Sequence, residues 1–284
     1  MSPLTRRTMH WIGSGLALAG IVFLFVRLQE MQAGKHLADL GAMSWVKLIG
    51  LTVAYGFANV LLALAWRELL ARWDIHVSRR WAIRTHGTSQ LGKYAPGNIF
   101  HLASRQALGM GAGYPGIPLT KSAMWELLLI AAAAAVFSLM AIPRLAFNQS
   151  PAMGVAAFLA MFCVALWVFR LLHEPKISRS FALYTLFHCI SAAIFIAVLN
   201  IVNHRVGVGM HSWPTIAAAY VLAWLSGMAT PVAPAGIGVR EFTLVLLLRE
   251  TLPEGDLLVS VVLVRVASIG GDAMLYVLAW MMKK

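Results

Sequence analysis

Of 284 residues, 60% are hydrophobic and 12% charged, against about 45–50% and about 25% in soluble domains, so the chain cannot clothe a water-facing surface. A disordered chain is excluded, and so is a disulfide scaffold, because Cys163 and Cys189 both sit inside apolar runs, where they are expected as small buried residues rather than partners. The net charge of +12 fits excess Lys and Arg in cytoplasmic loops facing anionic lipid; nucleic-acid binding would need a basic soluble face that no segment is long enough to fold.

The expected fold is an all-α polytopic membrane protein in one transmembrane domain, residues 1–284. A crossing helix needs about 20 apolar residues. Trp11–Leu28 is the first such run, and because it stays apolar up to Arg27 it is expected to be a retained span. Leu48–Trp66 follows, then Leu127–Ile142 with Glu126 at its mouth, Ala152–Leu171, Phe181–Val202, Trp213–Met228 and Leu257–Trp280. The last of these carries Arg265 and Asp272 in its interior.

The loop between the second and third spans holds eight basic residues (Arg67, Arg72, Arg79, Arg80, Arg84, Lys93, Arg105 and Lys121). That asymmetry puts the N-terminus in the cytoplasm of a bacterial inner-membrane protein. Seven spans would leave Lys283 and Lys284 outside. If Pro231–Leu248 also crosses, as a broken helix, the count becomes eight, both termini are cytoplasmic and the acidic stretch Glu250–Asp256 faces out.

Two segments break the pattern. Trp81–Gly113 is too polar to cross freely and is punctuated by Gly87, Gly92, Pro96, Gly97, Gly109, Gly111 and Gly113. It reads either as an amphipathic helix on the cytoplasmic surface or as a re-entrant hairpin turning at Ala95–Pro96–Gly97–Asn98 beside a polar cavity. Thr230–Glu241 places Pro231, Pro234, Gly236 and Gly238 immediately before Arg240–Glu241, between apolar runs. A simple loop is the plain alternative, but a charge pair between apolar halves must be paired or hydrated. The prolines Pro96 and Pro234 lie 138 positions apart, so half-repeats of about 1–142 and 143–284 are expected. Interrupted segments at matching places in two halves point to a transporter site at their interface.

The order of an apolar pair, a basic linker, a Pro-Gly turn with a downstream Arg and a late Pro234-Ala235-Gly236-Ile237-Gly238-Val239-Arg240-Glu241 resembles the flippase-like membrane domain of bacterial lysylphosphatidylglycerol synthases. That family includes short stand-alone proteins. Ala235 stands where the family commonly has Gly, and Pro96, Gly97 and Arg105 match loosely. The resemblance implies a domain of about eight spans that moves or handles a lipid, without the soluble aminoacyl-transfer part.

The nine His are scattered, and no H-E-x-x-H, C-x-x-C or paired-Asp motif occurs, so no catalytic residue, metal or cofactor is expected. Asn98, His101 and Arg105 fall at three- and four-residue steps and share one helical face, which suits a phosphate. Intramembrane charges cost about 2.5–3.5 kcal/mol each at a helix centre, so Arg265 and Asp272 should find partners among Glu241, Arg240 and Glu126, or line the cavity of the broken segments. On the second reading Lys93, Arg105, Arg240 and Arg265 bind a lipid phosphate, and Glu126, Glu241 or Asp272 orients them or carries a coupling proton. Arg240 and Glu241, with Arg265 or Asp272 from the final span, are expected in one polar cluster facing the Pro96–Gly97 turn. Three functions follow: a flippase for a polyprenyl-phosphate-linked sugar or an anionic phospholipid, a non-catalytic partner of a glycosyltransferase or synthase, or a membrane-embedded transferase.

Overall fold

The computed structural model describes residues 40–94, 100–147, 149–203, 209–230, 236 and 238–282. All regular structure among them is helical: α1 Ala42–Arg72, α2 Arg79–Gln90 with a 3-10 turn at Leu91–Tyr94, α3 Phe100–Gly111, α4 Gly116–Ser138, α5 Ile142–Phe147, α6 Pro151–Leu171, α7 Pro175–Val202, α8 Trp213–Ala229, α9 Val239–Leu248 and α10 Glu254–Met281. Five helices are long and apolar enough to cross a membrane: α1, the run Gly116–Phe147 that joins α4 to α5, α6, α7 and α10. The expected first span, Trp11–Leu28, lies outside the described residues.

Of the eight expected crossings, Trp213–Met228 and the broken segment after it form an antiparallel hairpin. Its arms have 17 and 10 residues, about 25 Å and 15 Å at 1.5 Å per residue. Ser226 Oγ meets Thr243 Oγ1 at 3.0 Å across them. Neither arm reaches the length of the five spans, because Thr230–Gly238 carries two prolines and two glycines that end helix on both sides.

The central layer is α1 packed along α7 and flanked by α10 and α4. Ser180 Oγ donates to the Ala65 carbonyl at 2.9 Å and Tyr55 meets Phe187 edge-on, so α1 and α7 run antiparallel. Small residues allow α1 and α10 to touch: a Cβ on Gly271 would lie 2.8 Å from the Gly56 nitrogen. Against this layer lean two hairpins. α2 and α3 pack on α10, α1 and α4; α8 and α9 pack on α4, α7 and α10. The first is no surface helix, since α2 buries His86, Ser89 and Gln90. α6 lies at the periphery, with only Gly154 and Phe158 buried; Cys163 on this helix is exposed rather than buried as expected, because its apolar surroundings face outward from the bundle.

The hairpins approach from opposite ends of the bundle. α2 descends antiparallel to α10: Gly87 sits on Leu275 and Ala279, and Lys93 reaches Asp272. α9 descends from the other end, with Glu241 on Arg265. Asp272 is nine residues from Met281 and Arg265 eleven from Glu254, about 14 Å and 17 Å along the axis. Both tips therefore arrive near the middle of the last helix.

Candidate functional site

The ends of the two hairpins enclose a cavity of about 330 Å³ lined from α1, α2, α3, α4, α7, α8, α9 and α10. Its apolar wall includes Leu62, Ile130, Phe187 and Trp224, and its polar wall Asn59, His86, Lys93, Tyr94, His101, Arg105, Glu126, Arg240 and Arg265. Leu127 and Ile269, on its margin, are 41% and 46% exposed, so the cavity reaches the apolar flank of the bundle.

Three carboxylates are held around it. Asp272, fully buried, accepts from Asn59 Nδ2 at 3.0 Å and from the Tyr94 hydroxyl, and pairs with Lys93 Nζ at 2.6 Å. Both Asp272 oxygens are thus satisfied, as burial of an anion demands. Glu126 accepts from Arg105 Nη2 at 2.9 Å. Arg105 Nη1 faces His86 Nδ1 at 3.1 Å, and its guanidinium lies over the Trp66 ring, 5.1 Å from the centroid. A guanidinium only donates, so Nδ1 is the acceptor and the imidazole proton sits on Nε2. That Nε2 and Glu126 Oε2 are buried with no partner among the described residues.

Glu241 holds the second hairpin's turn. One oxygen accepts from the Gly238 backbone N–H at 2.7 Å, the carboxylate half of a capping box, and the other from Arg265 Nε. Arg265 Nη2 donates onward to the Gly236 carbonyl at 3.1 Å. Gly236 and Gly238 have φ of +70° and +86°, the left-handed region that only Gly enters freely.

Arg240 differs from every other cation here. It lies over the Trp224 ring, 5.6 Å from the centroid, lines the cavity, and makes no ion pair with any described carboxylate; its Nε is buried and unpartnered. Its stem is threaded between two glycines: a Cβ on Gly227 would lie 2.7 Å from Nε, and one on Gly236 3.0 Å from it.

Of the expected site residues, the structure brings Lys93, His101, Arg105, Glu126, Arg240 and Arg265 to one cavity, with Asp272 and Glu241 pinning its edges. Pro96, Gly97, Asn98, Pro231 and Pro234 lie outside the described residues. Arg240, Glu241 and Arg265 line one small pocket beside the cavity; consecutive helical residues diverge by about 100°, so within that group Glu241 pairs with Arg265 while Arg240 turns into the cavity, and the Pro96–Gly97 turn they were expected to face lies outside the described residues. Arg265 pairs with Glu241, one of its expected partners, whereas Asp272 pairs with Lys93. Asn59, His86, Tyr94, Trp66 and Trp224 were not singled out from the sequence. An amide within the uncharged run Leu48–Trp66 was the one available signal, since polar groups at membrane depth are costly.

No protein-family model matches the chain, and no curated protein matches it by sequence.

Proposed function

We propose that this protein is a bacterial inner-membrane lipid flippase, related to the flippase-like domain of lysylphosphatidylglycerol synthases, that passes a phosphate-bearing lipid head group through the central cavity. The observation that carries the reading is Arg240, a guanidinium with no carboxylate partner among the described residues, set in a cavity whose margin opens onto the apolar flank. A guanidinium presents a planar fork that matches phosphate oxygens in pairs, and a flank opening leaves the hydrocarbon tail in the bilayer.

The element order supports a pair of inverted half-repeats. With the expected span Trp11–Leu28, which lies outside the described residues, placed first, the first half would read span, span (α1), hairpin (α2–α3), span (α4); the second reads span (α6), span (α7), hairpin (α8–α9), span (α10). Inverted repeats with interrupted segments meeting at mid-depth are the architecture of alternating access. One end of the bundle carries Arg72, Arg79, Arg80, Arg170, Lys176 and Arg179 against Asp74 and Glu174, the other Lys47, Arg144 and Arg249 against Glu250, Glu254 and Asp256, so the first end is the more positive. The positive end is assigned to the cytoplasm, with Met1 and Lys284 on that side, Glu250–Asp256 outside, and six spans and two hairpins making eight membrane-entering units when each hairpin counts once.

The test is reconstitution into liposomes with fluorescent phosphatidylglycerol followed by one-sided chemical quenching. Protein-dependent exposure of the inner-leaflet probe, lost in Arg240→Gln, is the expected result. Absence of any protein-dependent movement would defeat transport and leave the partner role. A single cysteine at position 254, in a background with Cys163 and Cys189 replaced by Ser, should label from outside intact cells.

A further inference from the structure

The cavity wall carries four cations, Lys93, Arg105, Arg240 and Arg265. Three of them are cancelled by carboxylates: Lys93 by Asp272, Arg105 by Glu126 and Arg265 by Glu241. Among the described residues the site therefore carries one excess positive charge, and it resides on Arg240.

We infer that the site is built for a head group bearing a single negative charge, a lipid phosphodiester, and selects against diphosphates and zwitterions; the inference rests on the lipid-transport reading and names its substrate class. The argument is charge balance at low dielectric, where each uncompensated charge is costly. A monoanion brings the cavity to neutrality. A diphosphate leaves at least one negative charge unpaired unless Arg105 or Arg265 abandons its carboxylate. A zwitterionic head group carries its own cation into a wall that already holds four.

The geometry agrees with one anion and no more. Arg240 is the only lining cation without a carboxylate among the described residues, and its Nε is an unmet buried donor. Gly227 and Gly236 wall in its stem, since a Cβ at either would lie within 3.0 Å of the side chain, which fixes where the fork points. Gln90 and Ser268 add neutral polar groups to the same cavity lining, chemistry suited to hydroxyls rather than to further phosphate.

The experiment is calorimetric titration of the full-length protein in an uncharged detergent with dioctanoyl phosphatidylglycerol, dioctanoyl phosphatidylcholine, farnesyl diphosphate and the tail-less glycerophosphoglycerol. Phosphatidylglycerol should bind at least tenfold tighter than each of the other three. Arg240→Gln should abolish that preference, and Arg240→Lys, which keeps the charge but not the fork, should retain part of it; thermal unfolding of each variant checks that it is folded. Farnesyl diphosphate or phosphatidylcholine binding as tightly as phosphatidylglycerol would overturn the single-charge rule while leaving a lipid site in place. Equal binding of glycerophosphoglycerol would make the ligand a soluble anion and overturn the inference. No binding by any phosphate lipid would overturn it together with the transport reading.

Discussion

The two hairpins solve the same problem with opposite signs. In the first, the cation sits on the hairpin (Arg105) and the carboxylate on the span that follows (Glu126); in the second, the carboxylate sits on the hairpin (Glu241) and the cation on the following span (Arg265). What a buried pair requires is mutual neutrality and satisfied hydrogen bonds, and neither depends on which helix carries which charge. The anchoring differs as well. Arg105 has His86 and Trp66 as additional partners, while Glu126 keeps one oxygen without a partner among the described residues. In the second pair both Glu241 oxygens are used and Arg265 also holds the Gly236 carbonyl, so side chains and loop backbone form one unit.

This comparison can be broken first at its stronger end. Glu241→Ala should cost about 3–5 kcal/mol, the usual consequence of breaking a buried pair, because it removes the buried carboxylate that ties Arg265 to the Gly238 N–H. Unfolding in detergent measures it, and a loss under about 1 kcal/mol would mean the pair does not hold the second hairpin. Glu126→Ala should cost less, about 2–3 kcal/mol, since Arg105 retains His86 and Trp66. A reversed order would remove the distinction in anchoring. If sign order is free, the double exchange Arg105→Glu with Glu126→Arg should recover about 1 kcal/mol or more over the sum of its single variants in a double-mutant cycle.

The spans were legible because their apolar runs are long and nearly uncharged: Phe181–Val202 and Leu257–Trp280 fall inside α7 and α10. The hairpins were legible as anomalies, from glycine and proline inside segments too apolar for loops. Which charge meets which was not. Asn59 and Asp272 are 213 positions apart, and Tyr94 and Asp272 178 apart, so only the packing of α1, α2 and α10 brings them together. Arg240 and Glu241 do share a neighbourhood with Arg265, but it is the step of about 100° between consecutive helical residues that gives Arg265 to Glu241 and leaves Arg240 to the cavity. The stacking of Trp66 on Arg105 and of Trp224 on Arg240 leaves no trace in spacing at all.

A smaller effect separates the two turns themselves. Gly236→Ala meets two obstacles: a φ of +70° and a Cβ 2.7 Å from the Gly227 Cα. A cost of about 1–2 kcal/mol follows from the left-handed backbone, and crowding of Arg240 Nε should depress lipid movement by more than stability alone explains. Liposome transport normalised to folded protein reads this; normal transport would make the turn an ordinary loop.

The first hairpin offers the matching but weaker perturbation at Gly92, where the arms touch without a left-handed residue. A Cβ there would lie 2.9 Å from the His101 nitrogen and 3.1 Å from its Cα, so α3 must move away from the end of α2 by a few tenths of an ångström. The neighbouring Lys93 and Tyr94 stay tied to Asp272, and the displacement therefore falls on α3, the arm that carries Arg105. Gly92→Ala should cost about 1 kcal/mol, within the range for mild overpacking, and weaken transport less than Gly236→Ala does, because Arg105 is already neutralised whereas Arg240 is the cation left for the ligand. Equal transport defects in the two variants would mean that both hairpins bear on the head group alike, and the difference drawn between their charges would then carry no functional weight.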